Sequence, residues 1–360
     1  MSQIKLDDLK ERINRFPRQR LISLPTPFLK LKNLSRHLGG PEIYIKRDDL
    51  TGLAFGGNKS RKLEFIIADA LGQGADAIVT WASLQSNWCT QTAAAAVRFG
   101  LKPVLILFRT SDIVPEYDGN LLLDYILAAD IRIKEAEKRK VVSEEFARNS
   151  FEEVIQELKK GGRTPYAVSV GGSMPGFSMK NPLGAISYVA AFVEMIEQAR
   201  ADRVNITHIV HATGSGATQA GLVVGAKALD EKIQVIGISV SDEKQAFART
   251  VFEICGATQR ALAIKSGILK EEIFVFDEYI KNGYGILNRE VAEAIRLLFT
   301  KESIVLDPVY TGKAMAALID LVQRGYFKKN DTVVFLHTGG TPALFPYRQM
   351  LTQLLEEEKK

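Results

Sequence analysis

Cysteine is nearly absent: the 360 residues hold two, Cys89 and Cys255. A disulfide framework and a CxxC metal site are thereby excluded. Histidine is scarce as well, and His37, His208, His211 and His337 fall at no metal-ligand spacing. No apolar run reaches the roughly 18 residues that span a bilayer, which predicts no membrane partner. The segment from Met1 to Arg12 is charged and lacks an apolar signal region, so the expectation is a reduced, cytoplasmic protein. Charge of one sign is not gathered either. Lys and Arg number 47 against 42 Asp and Glu, a net +5, and the basic residues are scattered with no aromatic-studded stripe. That argues against nucleic acid and suits a protein that holds an anionic small molecule.

What is present is an ordinary globular composition, 46% hydrophobic and 25% charged, in a chain long enough for about two domains. Short β-branched runs alternate with longer amphipathic segments. Strands are predicted over 76–81, 102–108, 166–170, 206–211, 235–240 and 332–337, with a helix over 92–99. The alternation predicts an α/β protein with mostly parallel sheets. The charged run 134–145, with a helix to Lys160, reads as a solvated helical face, and 356–360 as a frayed helix end.

Gly56-Gly57-Asn58-Lys59 follows the extended segment 42–50, with Arg61 and Lys62 close behind. A lysine on a glycine turn in a cationic neighbourhood is a candidate nucleophilic amine, because nearby positive charge lowers its pKa. A surface lysine in a basic run is the other reading. Ligands of parallel sheets bind beyond the carboxyl ends of the strands, which directs attention to three loops. In 84–87, Ser86 is a good N-cap, and a free helix N-terminus attracts a carboxylate; plain capping would also explain it. In Thr213-Gly214-Ser215-Gly216-Ala217-Thr218, two glycines admit an anion and three hydroxyls surround it, which suits a phosphate monoester. It is not the dinucleotide fingerprint, whose third glycine would fall at Gln219, and Asn58 excludes a Walker A motif at Lys59. The third loop, 337–343, pairs with 306–313 and could supply a hydroxyl near a proton-transfer step and a neutral partner for a ring nitrogen. A Schiff-base lysine, a cup for one phosphate and a neutral hydrogen-bonder add up to pyridoxal 5′-phosphate.

The chain resembles the fold-type-II pyridoxal-phosphate enzymes, in the group containing D-cysteine desulfhydrase and 1-aminocyclopropane-1-carboxylate deaminase. The resemblance runs through Leu24-Pro25-Thr26-Pro27, 46–52, 56–64, Gln85-Ser86-Asn87, Gly171-Gly172-Ser173, 307–313 and 337–344. It implies a tryptophan synthase β-like fold: two domains, open twisted parallel-rich sheets and flanking helices. The large, cofactor-binding domain would comprise 1–60 and 175–360, the small one 61–174, and the assembly a homodimer. It implies that Lys59 holds the cofactor, that Asn87 bonds its phenolic oxygen, and that Lys62 with Thr213 to Thr218 holds the phosphate. Ser86 would meet the substrate carboxylate or assist proton transfer, and Tyr284 and Tyr310 match the two active-site tyrosines.

Thr311 and Thr338 stand where the deaminase carries an acid and a leucine. Neutral threonines leave the ring nitrogen unprotonated, a shallower electron sink that suffices for β-elimination. The expected activity is therefore β-elimination from an amino acid, D-cysteine giving pyruvate, ammonia and hydrogen sulfide. Cyclopropane opening, cysteate cleavage and a non-enzymatic cofactor or amino-acid binder are the alternatives. The pattern departs from the group at Trp88-Cys89 and in the loop from Met174 to Lys180, both expected to border the substrate.

Overall fold

Ten strands carry the apolar runs of the sequence: β1 (Phe28–Lys30), β2 (Glu42–Arg47), β3 (Ala77–Ser83), β4 (Lys102–Arg109), β5 (Asp130–Glu135), β6 (Pro165–Ala167), β7 (His208–Thr213), β8 (Gln234–Ser239), β9 (Phe274–Phe276) and β10 (Thr332–His337). They are seen in a computed structural model that describes residues 4–110, 117–138, 140, 142–265, 267–281 and 283–356. The helices are α1 (Leu6–Asn14), α2 (Lys32–Leu38), α3 (Asn58–Gly72), α4 (Asn87–Arg98), α5 (Gly119–Ile126) and α6 (Glu144–Lys160). After them come α7 (Leu183–Ala201), α8 (Ala217–Ala228), α9 (Lys244–Ala261), α10 (Arg289–Glu302), α11 (Thr311–Gln323) and α12 (Arg348–Glu356).

Two sheets form. One is six-stranded in the order β1-β2-β10-β7-β8-β9, and the other four-stranded in the order β5-β4-β3-β6. Every pairing is parallel except β1 with β2. The smaller sheet is built wholly from residues between 77 and 167, inside the span 61–174, while the larger draws on both ends of the chain. The division at residue 60 falls in the first turn of α3, which belongs to the boundary itself.

Side chains alternate between faces along each strand. Ile78 and Leu105 of the small sheet and Ile209 and Val334 of the large one join a single apolar layer with α3, α4, α7 and α8. Their neighbours Trp81, Ile106 and Phe151 form a second cluster on the outer face of the small sheet. Val210, Ile236 and Phe335 face α10 and α11. Helix α7 is apolar nearly all round because it lies within the shared layer.

Several boundaries differ from the sequence expectation. Lys134 and Glu135 end the edge strand β5, paired with β4 alone, and helix begins only at Glu144. Its charged alternation, Asp-Ile-Arg-Ile-Lys-Glu, concealed the strand. The strand expected over 166–170 stops at Ala167, and Val170 opens a one-turn helix. β7 runs to Thr213, which puts that hydroxyl on a strand end instead of in the loop. The tail expectation lies outside the described residues beyond Glu356, as does Asn282.

Candidate active site

The N-terminus of α3 is held against the end of β10 by backbone contact. Gly57 bridges Gly339, and Asn58 N donates to Thr338 O at 2.9 Å. A Cβ on Gly339 would lie 2.6 Å from Gly57 Cα, so glycine at these two positions lets the loops touch. Lys59 follows immediately and projects into a cavity where the loops after β3, β7, β8 and β10 converge. Its Nζ donates to Asn58 Oδ1 at 2.8 Å, and its pKa is lowered to about 8. Burial is the cause, partly offset by the Asp307 carboxylate. This corrects the expectation that neighbouring cations activate the lysine: Arg61, two residues on, is turned away and paired with Asp48 and Glu194.

Around Lys59 the lining includes Lys62, Thr213, Gly214, Ser215, Gly216 and Thr218. Helix α8 starts at Ala217, two residues earlier than expected, with Gly216 as its N-cap in the left-handed region at φ 79°. Ala217 is buried and does not line the cavity. Asn58 Nδ2 donates to Thr218 Oγ1 at 3.1 Å, tying the cup to α3. Thr213 Oγ1 is buried with no hydrogen-bond partner. Lys62 has no carboxylate partner; its Nζ sits 5.7 Å above the Tyr188 ring, and burial followed by Lys59 pushes its pKa well down. An orphaned hydroxyl, an unpaired ammonium and a helix N-terminus meeting at one point fit a phosphate group.

Ser86 caps α4, its Oγ accepting from Cys89 N at 3.2 Å, and also lines the cavity. Asn87 lines the cavity beside it, with its Oδ1 accepting from Asn120 Nδ2 at 2.8 Å. The Tyr284 and Tyr310 hydroxyls are 2.6 Å apart, with Ser83 Oγ 3.4 Å from Tyr284. Burial raises both phenols.

The two threonines part company. Thr338 lines the cavity. Thr311 is fully buried, its Oγ1 donating to Asp307 Oδ1 at 2.6 Å and accepting from Asp307 N at 2.8 Å. Its hydroxyl is consumed in building the start of α11 and does not reach the cavity lining. Asp307, to which sequence reading assigned no role, accepts from Val309 N, Tyr310 N and Thr311 N as well. Burial raises its carboxyl, and it lies where it acts on both Lys59 and Lys313. An aspartate four residues before a helix start was the available signal.

Trp88 is 2% exposed and its indole N–H donates to Thr80 Oγ1 at 2.7 Å, so it packs on β3 while one part still borders the cavity. Residues 174–180 do not line the cavity. Phe177 packs on Trp81 and Phe151 behind the small sheet, which corrects the expectation of a loop beside the substrate. Val142 and Val170 border the cavity instead. Among the described residues Lys59 and Lys62 are its cations, and no carboxylate lines it. Among the described residues no group of three His, Cys, Asp or Glu is placed to hold a metal ion, and no helix is long and apolar enough to cross a membrane.

Comparison with known proteins agrees with this geometry. Residues 20–339 match the family described as pyridoxal-phosphate dependent enzyme. A D-cysteine desulfhydrase of Klebsiella pneumoniae is 41% identical over 344 residues, 95% of this chain and 99% of that protein. A Pyrococcus furiosus protein, provisionally named as a 1-aminocyclopropane-1-carboxylate deaminase, is 41% identical over 95% of this chain and 98% of its own length. The crystal structure of an ACC deaminase homologue superposes with a TM-score of 0.86 at 37% identity, covering 96% of this chain and 99% of that one. The chain thus belongs to the pyridoxal-phosphate dependent enzymes, as a lyase of the D-cysteine desulfhydrase and 1-aminocyclopropane-1-carboxylate deaminase group.

Proposed function

We propose that the enzyme eliminates the β-substituent of a small amino acid, with D-cysteine the substrate and hydrogen sulfide, pyruvate and ammonia the products. The observation that carries this reading is the neutral lining beside Thr338: no carboxylate of the described residues borders the cavity, and Asp307 spends both oxygens on the start of α11. Without an acid the ring nitrogen stays unprotonated, which suits a reaction in which the leaving group carries the electrons away. Pyridoxal phosphate supplies the electron-withdrawing ring that labilises the Cα–H bond.

In this reading Lys59 would carry the cofactor and would be the base for the α-proton; a pKa of about 8 leaves part of its amine neutral near pH 7. Lys62, Thr213, Ser215, Thr218 and the amides of Gly214 and Gly216 would hold the phosphate, while Ala217, which does not line the cavity, would not. Asn87 donates to the phenolic oxygen, and the Thr338 hydroxyl stands by the ring nitrogen. Ser86 and the first amides of α4 receive the substrate carboxylate. Tyr284, whose hydroxyl lies between Tyr310 and Ser83, would hand its proton to the departing sulfur and be re-supplied by Tyr310. Released 2-aminoacrylate hydrolyses in water. Cysteate is less well served, because among the described residues no third cation lines the cavity to meet a sulfonate.

The domain division 1–60 with 175–360 and 61–174, and a homodimer, belong to the same reading. Two buried free cysteines accord with a reducing cytoplasm. Purified enzyme offered D-cysteine, β-chloro-D-alanine, L-cysteate and 1-aminocyclopropane-1-carboxylate should give sulfide and pyruvate from the first and little 2-oxobutyrate from the last. Comparable 2-oxobutyrate formation would support cyclopropane opening instead.

A further inference from the structure

We infer that Asn120, which lies outside the cavity lining, is a positioning residue that turns the Asn87 amide so that its nitrogen faces the cofactor. The orientation follows from one fixed point. The Gln85 backbone carbonyl can only accept, so the Asn120 side-chain atom 3.1 Å from it is the amide nitrogen. That same nitrogen is 2.8 Å from the Asn87 side chain, and the atom it meets must therefore be the oxygen. Asn87 Nδ2 is left pointing the other way, toward the cavity, with no protein acceptor among the described residues. Both hydrogens of the Asn120 amide are committed, so the arrangement has one sense only.

Asn120 is itself clamped from two sides. Its backbone N donates to Gln85 Oε1 at 2.9 Å, while Gln85 Nε2 donates to Asp118 O at 3.0 Å. Gly119, at φ 55°, packs so closely that a Cβ would lie 2.6 Å from Gln85 Oε1 and 2.7 Å from Pro342 O. Pro342 follows the Thr338 loop of the large sheet, so the start of α5 is wedged between loops of both sheets and cannot drift. Released from Asn120, the Asn87 amide can rotate and present its oxygen to an anionic phenolic oxygen, turning attraction into repulsion.

This inference rests on the proposed seat of the phenolic oxygen at Asn87, and a double-mutant cycle keeps the two apart. Apoprotein is titrated with pyridoxal phosphate and binding is followed by visible absorbance. Asn87→Ala should raise Kd about ten-fold, the worth of one hydrogen bond to a charged group, and Asn120→Ala about as much. In the Asn87→Ala background, Asn120→Ala should change Kd by less than about two-fold, since its action passes through Asn87. Additive losses would overturn the inference; an unchanged Kd for Asn87→Ala alone would remove the seat on which it rests. Asn120→Asp, whose carboxylate accepts only, reverses the Asn87 amide and should weaken binding more than alanine does. It should also raise the pH midpoint of the bound cofactor's visible band, because a donor at the phenolic oxygen favours the anionic form. Lower melting temperature with neither change would mean a purely structural role and overturn the inference. Should the alanine variant not fold, Asn120→Ser enters the same cycle.

Discussion

Helix α3 sends its cations to two different fates within four residues. Arg61 is buried and saturated: its guanidinium donates to Asp48 at 2.8 and 2.9 Å, to Glu194 at 2.9 and 3.1 Å and to Thr26 Oγ1 at 2.9 Å. Lys46 joins from β2, donating to Glu194 Oε1 and Gln198 Oε1 at 2.6 Å each. Half-buried Lys59 and fully buried Lys62, three apart on one face of the same helix, form no ion pair among the described residues; Asp307 acts on Lys59 only from a distance. A buried charge with every partner in place is architecture, and one left without a counter-ion is a site waiting for a ligand. The direction of the pKa shift follows: Asp48 and Glu194 hold Arg61 well up, whereas burial pushes Lys59 and Lys62 down.

The comparison breaks first at Arg61. Arg61→Met strands Asp48 and Glu194 without their guanidinium and should cost about 3–5 kcal/mol in chemical denaturation of the apoprotein. A loss below about 1 kcal/mol would mean that the network does not hold α3 in place. Lys62→Met is the converse. Removing an unpaired buried ammonium should leave apoprotein stability unchanged or slightly raised, yet weaken cofactor binding at least about ten-fold through loss of a charge-assisted phosphate contact. Equal cofactor affinity in parent and variant would empty the phosphate cup of its cation.

A smaller effect sharpens the same contrast by pH. The folded Lys59 has a pKa of about 8 against an ordinary 10.5. Below about pH 8 both folded and unfolded chains hold the proton and the full penalty of burying the charge is present. Between about 8 and 10.5 the unfolded chain alone keeps it, so apoprotein stability should rise with pH across that window. Lys313, also lowered to about 8 by burial, contributes with the same sign. The readout is therefore the stability of the parent minus that of Lys59→Met, which should climb with pH; a flat difference would place Lys59 in water.

The apolar strands β3, β4, β8 and β10 were legible in the sequence because β-branched runs buried on both faces need no partner information to be recognised. The edge strand β5 was not, since its charged alternation matches a solvated helix face just as well. Within the site, Lys59, Ser86 and the Gly214–Gly216 turn could be read from local chemistry, whereas Asn87 was read only from the family resemblance. Thr311 could not be placed, because its hydroxyl is decided by Asp307 one turn before it, and a sequence does not say which acceptor a threonine finds. Arg61 and Lys62 looked alike for the same reason: their partners, Glu194 and the open cavity, lie far along the chain. Asn120 is 33 residues from Asn87 and meets it only because α5 packs back across α4. Residues 174–180 were misplaced because a loop after a strand end can fold to either face of its sheet.

Two lysines, half-buried Lys59 and buried Lys313, have pKa values lowered to about 8, and of the two only Lys59 borders the cavity; Lys313 is spent on the Gly283 carbonyl at 3.1 Å. Borohydride reduction of the holoenzyme, followed by peptide mapping of the fixed cofactor, decides between them directly. The label should fall on Lys59 alone; a label on Lys313 or Lys62 would contradict the account.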